Sequence, residues 1–417
     1  MFSSISPDAK TYASSADVLP LLFPPTFDTN DDAERAVESS APAATIHALH
    51  LVNGEHYSGA ERVQDLLARR LPQFGFDVGF ACVKPRRFPA ARESKDSPLV
   101  EMPMRGRFDL RVVNQLATLV DEDGYQLVHA HTPRTALVGS MAARRAGVPF
   151  IYHVHSPAGR DSTRRMLNWI NATIEWAAVR NAGRLITVSP SLRSYMIGQG
   201  ISPERVCCVP NGVPIASQPY DRHVPTRTWT LGTVALFRPR KGLEVLLESL
   251  AALRSRDVNV RLRAVGGFET PAYEASILAL TARLDLGNAI DWIGFTRGVN
   301  RELAKIDLFV LPSLFGEGLP MVVLEAMAVG LPVVATRVEG VPEAVVHRET
   351  GLLVEAGSVS QLARAIEEIV GGRADYEALS SGARQRHAAL FSDSAMASGV
   401  AAVYREVLAA HEAQLVS

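Results

Sequence analysis

Cysteine is nearly absent. The 417 residues hold three, Cys82, Cys207 and Cys208, two of them adjacent, with no CxxC pair. That excludes a disulfide framework and fits unpaired thiols in a reducing compartment. Excess charge is missing too: 43 basic against 44 acidic residues leave a formal net charge of −1. No bulk field therefore draws the chain to nucleic acid or to an anionic membrane, and any such attraction must be local. No apolar run reaches the roughly 20 residues of a membrane-crossing helix. The N-terminus lacks the basic region and apolar core of a signal peptide, because Leu19 to Phe27 is short and carries three prolines. A cytoplasmic protein is expected. The glycine triplet of a dinucleotide fingerprint and the Lys-Ser/Thr of a P-loop are also missing from its first glycine loop.

What is present is an ordinary globular composition, 47% hydrophobic and 21% charged, on a chain long enough for two domains. Its most informative stretch runs from Ile306 to Ala344. Leu308-Phe309-Val310-Leu311 suits a buried strand of a parallel sheet. A glycine-bearing loop, Ser313 to Gly318, follows. Pro320 sits where a helix starts and a missing N–H is tolerated. Val322 to Val329 is helix-compatible, Gly330 and Pro332 stop it, and Val333-Val334-Ala335 begins another strand. Two carboxylates ride on this unit, Glu317 in the loop and Glu325 in the helix. Glu325 lies among Val323, Leu324, Ala326, Met327 and Ala328, where a carboxylate needs a hydrogen-bond partner. The helix N-terminus suits a phosphate, and a carboxylate two turns in suits a ribose diol, which together describe a nucleotide-diphosphate site. The same residues also read as a glutamate favouring a helix dipole and an exposed helix glutamate.

The run EGLPMVVLEAMAVGLPVVA, with its glutamate, seven-residue gap and second glutamate, resembles the motif of retaining glycosyltransferases of GT-B architecture, and most of all the large bacterial family 4. The resemblance covers nearly everything from Thr45 onward. It implies an α/β fold of two Rossmann-like parallel-sheet domains facing a cleft, with the C-terminal helix crossing back to the N-terminal domain. It also implies that Glu325 binds the ribose and Glu317 contacts the donor sugar, beside Gly318, Leu319 and Met321. Alternating strands and helices independently favour two parallel-sheet domains with the ligand at strand carboxyl ends.

Along the chain, residues 1–44 are rich in Ser, Ala, Pro and Asp and read as an extension or loosely packed arm. Residues 45–213 form the expected acceptor-binding domain. Thr45 to Val52 is its first strand, and NGEHYSGAERV a glycine loop leading into the amphipathic stretch Val63 to Leu71. In the family this loop approaches the substrate, through Gly59 here, although a plain tight turn would look the same. Lys84 to Lys95 is a loop with five basic residues. His129 and His131, and His153 and His155, close two further strands, and each pair alternates onto one strand face. Metal ligation there requires carboxylate or further histidine partners, which the sequence does not obviously supply. The resemblance places His155 at the donor sugar, as a catalytic residue together with Glu317. Ser162 to Arg180 is helical in pattern, with Arg164, Arg165, Trp169 and Trp176. It reads as a core helix with a solvated face, and its basic–aromatic mix also suits peripheral contact at the inner membrane face.

Pro210-Asn211-Gly212 resembles the close of the first domain, and residues 214–393 form the expected nucleotide-sugar domain, reached through a linker over Pro214 to Thr228. Arg238, Arg240 and Lys241 crowd the start of its first helix, against the dipole, which a bound anion would resolve. The family holds the pyrophosphate here with a lysine, matched by Lys241, and an arginine whose position is Leu236 in this chain, so that Arg238 or Arg240 is the substitute. Gly266 and Phe295 close two strands that line the base pocket, or are ordinary sheet turns. Residues 394–414 are the crossing helix. The function implied is a retaining hexosyltransferase without a cofactor or a metal in the donor site. Its donor is a nucleotide-diphosphate sugar and its acceptor a glycan, a lipid-linked or a small molecule, in the synthesis of cell-surface polysaccharide or glycolipid. An epimerase or hydrolase on the same fold, a non-catalytic nucleotide-sugar-binding protein and a metal-dependent hydrolase built on the histidine pairs are the competing readings.

Overall fold

The structure, a computed structural model, describes residues 45–106, 109–157, 175–176, 179–180, 182–216 and 222–416. The arm expected over 1–44, the residues Arg164, Arg165 and Trp169, and part of the expected linker lie outside these.

Seven short strands make the first sheet: β1 (Ile46–Val52), β2 (Phe76–Cys82), β3 (Leu99–Glu101), β4 (Leu127–Ala130), β5 (Phe150–Val154), β6 (Arg184–Thr187) and β7 (Val206–Cys208). Their order is β3-β2-β1-β4-β5-β6-β7, and every pairing is parallel. Six more make the second: β8 (Trp229–Val234), β9 (Val260–Val265), β10 (Ile290–Gly294), β11 (Leu308–Leu311), β12 (Val333–Thr336) and β13 (Gly351–Val354). Their order is β10-β9-β8-β11-β12-β13, again parallel. Parallel strands need crossovers, and helices supply them, so both sheet faces are covered and the strands are mostly apolar, with histidines in β1, β4 and β5 and arginines in β9 among the exceptions. β4, β5, β11 and β12 are buried at every residue.

The helices that matter for the site are α1 (Gly59–Arg70), α2 (Pro133–Ala146), α3 (Pro190–Gly198), α4 (Leu243–Arg254), α5 (Met321–Ala328), α6 (Val359–Val370) and α7 (Asp393–Val416). Their ends follow local chemistry. The Thr132 hydroxyl accepts from the amide of Thr135 to start α2, which stops at Gly147 with φ 68°. α6 begins where Ser358 accepts from the Gln361 amide, and it buries Leu362, Ala363, Ile366 and Ile369 at helical spacing.

In each sheet the strand order reverses once, between β1 and β4 and between β8 and β11. Crevices beyond the strand carboxyl ends at such points are where α/β sheets hold ligands, and the two crevices face each other. The chain crosses between the domains twice at one place. The Val213 amide donates to Phe391 O at 2.9 Å, and the Asp393 amide to Val213 O at 3.1 Å. α7 then runs over the first domain, where Arg70 pairs with Asp393 at 2.7 Å and Arg405 donates to Phe74 O at 2.9 Å. Tyr404 of α7 is fully buried in the first domain's core.

Candidate active site

A cleft of about 1670 Å³ separates the two sheets. On the second-domain side its wall is built at the β8/β11 switch point. β11 delivers the chain into the loop that carries Glu317. This carboxylate is 5% exposed. It accepts from Ser313 Oγ at 2.7 Å, pairs with Lys241 and lies 3.5 Å from Arg240 Nη1. Burial pushes its pKa up, but Lys241 and Arg240 outweigh that and hold it below the ordinary carboxylate value. Burial in turn lowers Lys241 despite its partner. The loop itself is fixed by Glu339, whose carboxylate accepts from the Gly316 and Glu317 amides at 3.0 and 3.2 Å. Gly318 has no room for a side chain, because a Cβ there would meet His155 O at 1.9 Å. The motif loop thus touches the backbone of the first domain.

The cations do not open the following helix, as their spacing suggested. Pro239–Lys241 is a separate 3₁₀ turn, and Gly242, at φ 67°, lets the chain turn into α4. A Cβ on Gly242 would meet Pro312 O at 2.0 Å, so the turn packs tightly on the β11 end. The first turn of α4 carries Glu244 and no cation, which removes the conflict with the helix dipole. Of the two arginines, Arg240 is buried and donates to Phe315 O and Gly316 O at 3.3 and 3.1 Å. Arg238 lies only 3.6 Å from Glu269 and lines the cleft beside Leu236.

Glu325 is buried, 4% exposed, on α5; the alternative of an exposed helix glutamate is excluded. Oε1 pairs with Arg62 of α1, across the cleft, while Oε2 is buried without a partner. Arg62 went unnoticed in the sequence. It sits one turn into α1, whose start is fixed by Ser58 and Glu61 in a capping box, and nothing in its own neighbourhood marks a partner 263 residues away. The cleft is also lined by Gly59, Gly266, Phe295, Gly318, Leu319 and Met321. Gly266 is needed at φ 136°, because a Cβ would meet Ala235 O at 1.7 Å. Phe295 is 56% exposed, with the guanidinium of Arg87 5.2 Å from its ring centre.

On the first-domain side, His50 of β1 stands in register with His129 of β4. His131 and His155 lie just past their strands, and His153 within β5. Period-two alternation therefore gathers five imidazoles on one face. The expectation that the histidine pairs lack partners is corrected: the pairs converge on each other and on His50. Tyr404 Oη lies 2.7 Å from His50 Nε2 and 2.6 Å from His129 Nδ1, and His131 Nδ1 is 3.0 Å from His155 Nε2. Burial lowers His50 and His155 to about 3 and the other three well below the ordinary value, so the rings are neutral at pH 7. Among the described residues, the sets of three or more potential metal donors are His50, His129 and His131, and His131, His153 and His155.

The basic loop 84–95 is largely internally engaged. Lys84 and Arg86 pair with Glu55 at 2.5 and 3.3 Å, and Arg92 donates to Ser97 O at 2.7 Å. Among the described residues no helix is long and apolar enough to cross a membrane.

Comparison with known proteins agrees with this geometry. The family model described as Glycosyltransferase Family 4 matches residues 57–217, and that described as Glycosyl transferases group 1 matches 219–386. An Escherichia coli UDP-Gal:alpha-D-GlcNAc-diphosphoundecaprenol alpha-1,3-galactosyltransferase is 23% identical over 354 residues, 75% of this chain and 84% of its own. A D-inositol 3-phosphate glycosyltransferase of Streptosporangium roseum is 28% identical over 390 residues, 82% of this chain and 87% of its own. The crystal structure of Anabaena HepE in complex with UDP-glucose superposes with a TM-score of 0.76 at 22% identity, covering 87% of this chain and all of that one (100%). Two facing parallel-sheet domains, a crossing last helix and matches that divide between the two halves have one explanation: the chain belongs to the family 4, group 1 glycosyltransferases of GT-B architecture.

Proposed function

We propose that this glycosyltransferase moves a hexosyl group, with retention of configuration, from a nucleotide-diphosphate sugar to a glycan or lipid-linked acceptor in cell-surface polysaccharide or glycolipid synthesis, at the inner membrane face. The observation that carries the donor reading is Glu325, whose Oε2 is buried, unpartnered and at the cleft wall. A buried carboxylate oxygen without a partner costs at least about 1–3 kcal/mol, and a ribose hydroxyl donating to it removes that penalty. Lys241 and Arg238, with Arg240 behind them, supply the positive charge that a diphosphate needs, so that the donor site works without a metal. The α5 N-terminus beside Gly318, Leu319 and Met321 adds amide dipoles.

The chemistry breaks the bond between the anomeric carbon and the phosphate oxygen, and forms one from that carbon to the acceptor oxygen on the same face. The acceptor proton passes to the departing phosphate. Glu317 and His155, on opposite walls, meet the positive charge that develops on the sugar. Lys241 shares its three donors between Glu317 and the leaving diphosphate. The E. coli relative named for a UDP-Gal donor and a diphosphoundecaprenol acceptor, and the HepE complex with UDP-glucose, support a uridine donor and a lipid-linked acceptor.

Melting curves with UDP-, GDP- and ADP-sugars test the donor, because a ligand at a hundred times its Kd stabilises by about 2.7 kcal/mol. Proton NMR of the product then reports whether a glycoside forms and with which anomeric configuration. Free sugar, an epimerised donor or an inverted glycoside each overturns the reading.

A further inference from the structure

We propose that His50, His129 and His131 form a binding site for a divalent transition cation, zinc foremost, in the floor of the first domain, beneath the cleft wall that His131 and His155 line. The strand register brings the three rings together, with ring centres 4.8, 5.1 and 4.2 Å apart. One nitrogen from each lies within 4.8 Å of the others. Independently, the cluster holds an unusual set of unmet polar atoms. His50 Nδ1, His129 Nε2 and His131 Nε2 are buried with no hydrogen-bond partner, and so are both ring nitrogens of neighbouring His153. Buried polar atoms are nearly always paired. With His155 Nδ1, also buried and unpartnered, six orphans share one face, which is what a set of ligands looks like without its ion.

The remaining nitrogens are already held as metal ligands require. A ligating imidazole normally donates its other N–H to a fixed acceptor. Tyr404 Oη is within hydrogen-bond reach of His50 Nε2 and His129 Nδ1, and both rings can donate to it, which leaves His50 Nδ1 and His129 Nε2 free to ligate. His131 Nδ1 has His155 Nε2 as its partner. The donor set decides the ion. Neutral imidazoles with no carboxylate suit zinc, copper or nickel and reject calcium and magnesium, which need oxygen. Zinc–nitrogen bonds of about 2.0–2.1 Å put the nitrogens about 3.4 Å apart, so the rings close in by about an ångström. His153, its ring centre 5.1 Å from that of His131, stands ready as the fourth ligand. The other set, which uses His155, would put the ion into the cleft where the sugar is expected. Ordered water could also satisfy these nitrogens, and the test separates the two.

Full-length, tag-free protein is stripped with chelator, equilibrated with Zn²⁺ and desalted. Metal content is read by mass spectrometry, and affinity by competition with a chromophoric chelator. One zinc per chain is expected, with X-ray absorption at the zinc edge dominated by imidazole. His129→Gln and His50→Gln lose at least tenfold in affinity, and Tyr404→Phe, which keeps all three ligands, loses about 10–100-fold. Wild-type protein that retains no zinc overturns the proposal whatever the variants do. So do His50→Gln and His129→Gln proteins that retain it with unchanged affinity. If those variants do not fold, the wild-type absorption edge decides, with oxygen-dominated scattering counting against the site.

Discussion

The two switch points solve the same topological problem with opposite electrostatics. At β8/β11 every functional group is charged and most are paired: Glu317 with Lys241 and Arg240, Glu325 with Arg62. At β1/β4 the groups are neutral, aromatic and largely unpaired. A buried charge must be compensated within the fold, so the second domain's wall is set before any ligand arrives. Neutral imidazoles tolerate burial without a counter-charge and leave their wall adaptable. The two walls therefore differ in how much of their electrostatics the fold fixes on its own.

The largest effect should come from breaking the charged wall. Glu317→Gln should lower kcat by about 10²–10³ with little change in donor KM, as for the loss of one electrostatic contact at the developing charge; steady-state kinetics decide it. Glu325→Gln sharpens the contrast. A ribose on its free oxygen, as proposed, would be bound in ground and transition states alike, so donor KM should rise about tenfold or more while kcat holds within a fewfold. An unchanged donor KM would remove the nucleotide reading of α5.

On the neutral wall, Tyr404→Phe should lower stability by about 1–3 kcal/mol by orphaning nitrogens of His50 and His129. Denaturant titration reads this, and Arg238→Ala should leave the same midpoint unmoved. A pH-dependent effect concerns the contact between the domains. Glu343 accepts from the Ser191 amide at 2.7 Å, and burial raises its pKa from 4.5 to about 7. A folded-state pKa above the unfolded one means that the folded protein holds the extra proton, so this group's contribution to stability is full below pH 4.5 and lost as pH rises through about 7. Melting temperature should thus fall across that window by an amount equivalent to about 1–3 kcal/mol, and Glu343→Gln should flatten that component.

Much of the charged wall was legible because it is local: Glu317, Gly318 and Glu325 belong to one strand–loop–helix unit, and Lys241 stands out as a cation beside glycine. The neutral wall was legible only in pieces. Each His-x-His pair announces a strand face, but that β4 would pair with β1, and so bring His50 to His129, depends on strand order, which no spacing encodes. Arg62 and Tyr404 were missed for the same reason, since their partners lie in the other half of the chain. The turn at Pro239–Lys241 misled because a cluster of cations next to an apolar run looks the same whether the helix starts before or after Gly242.

The position of Tyr404 bears on how the protein is made. A ribosome delivers the first domain first, yet the hydroxyl that meets His50 and His129, and the helix that covers their sheet, come from α7, beyond the whole second domain. During synthesis the earliest part to emerge must wait, its imidazoles uncovered, until the last segment is threaded back onto it. The domain begun first is the domain finished last, and a chain arrested before α7 should be recognised as incomplete by the surface it leaves bare.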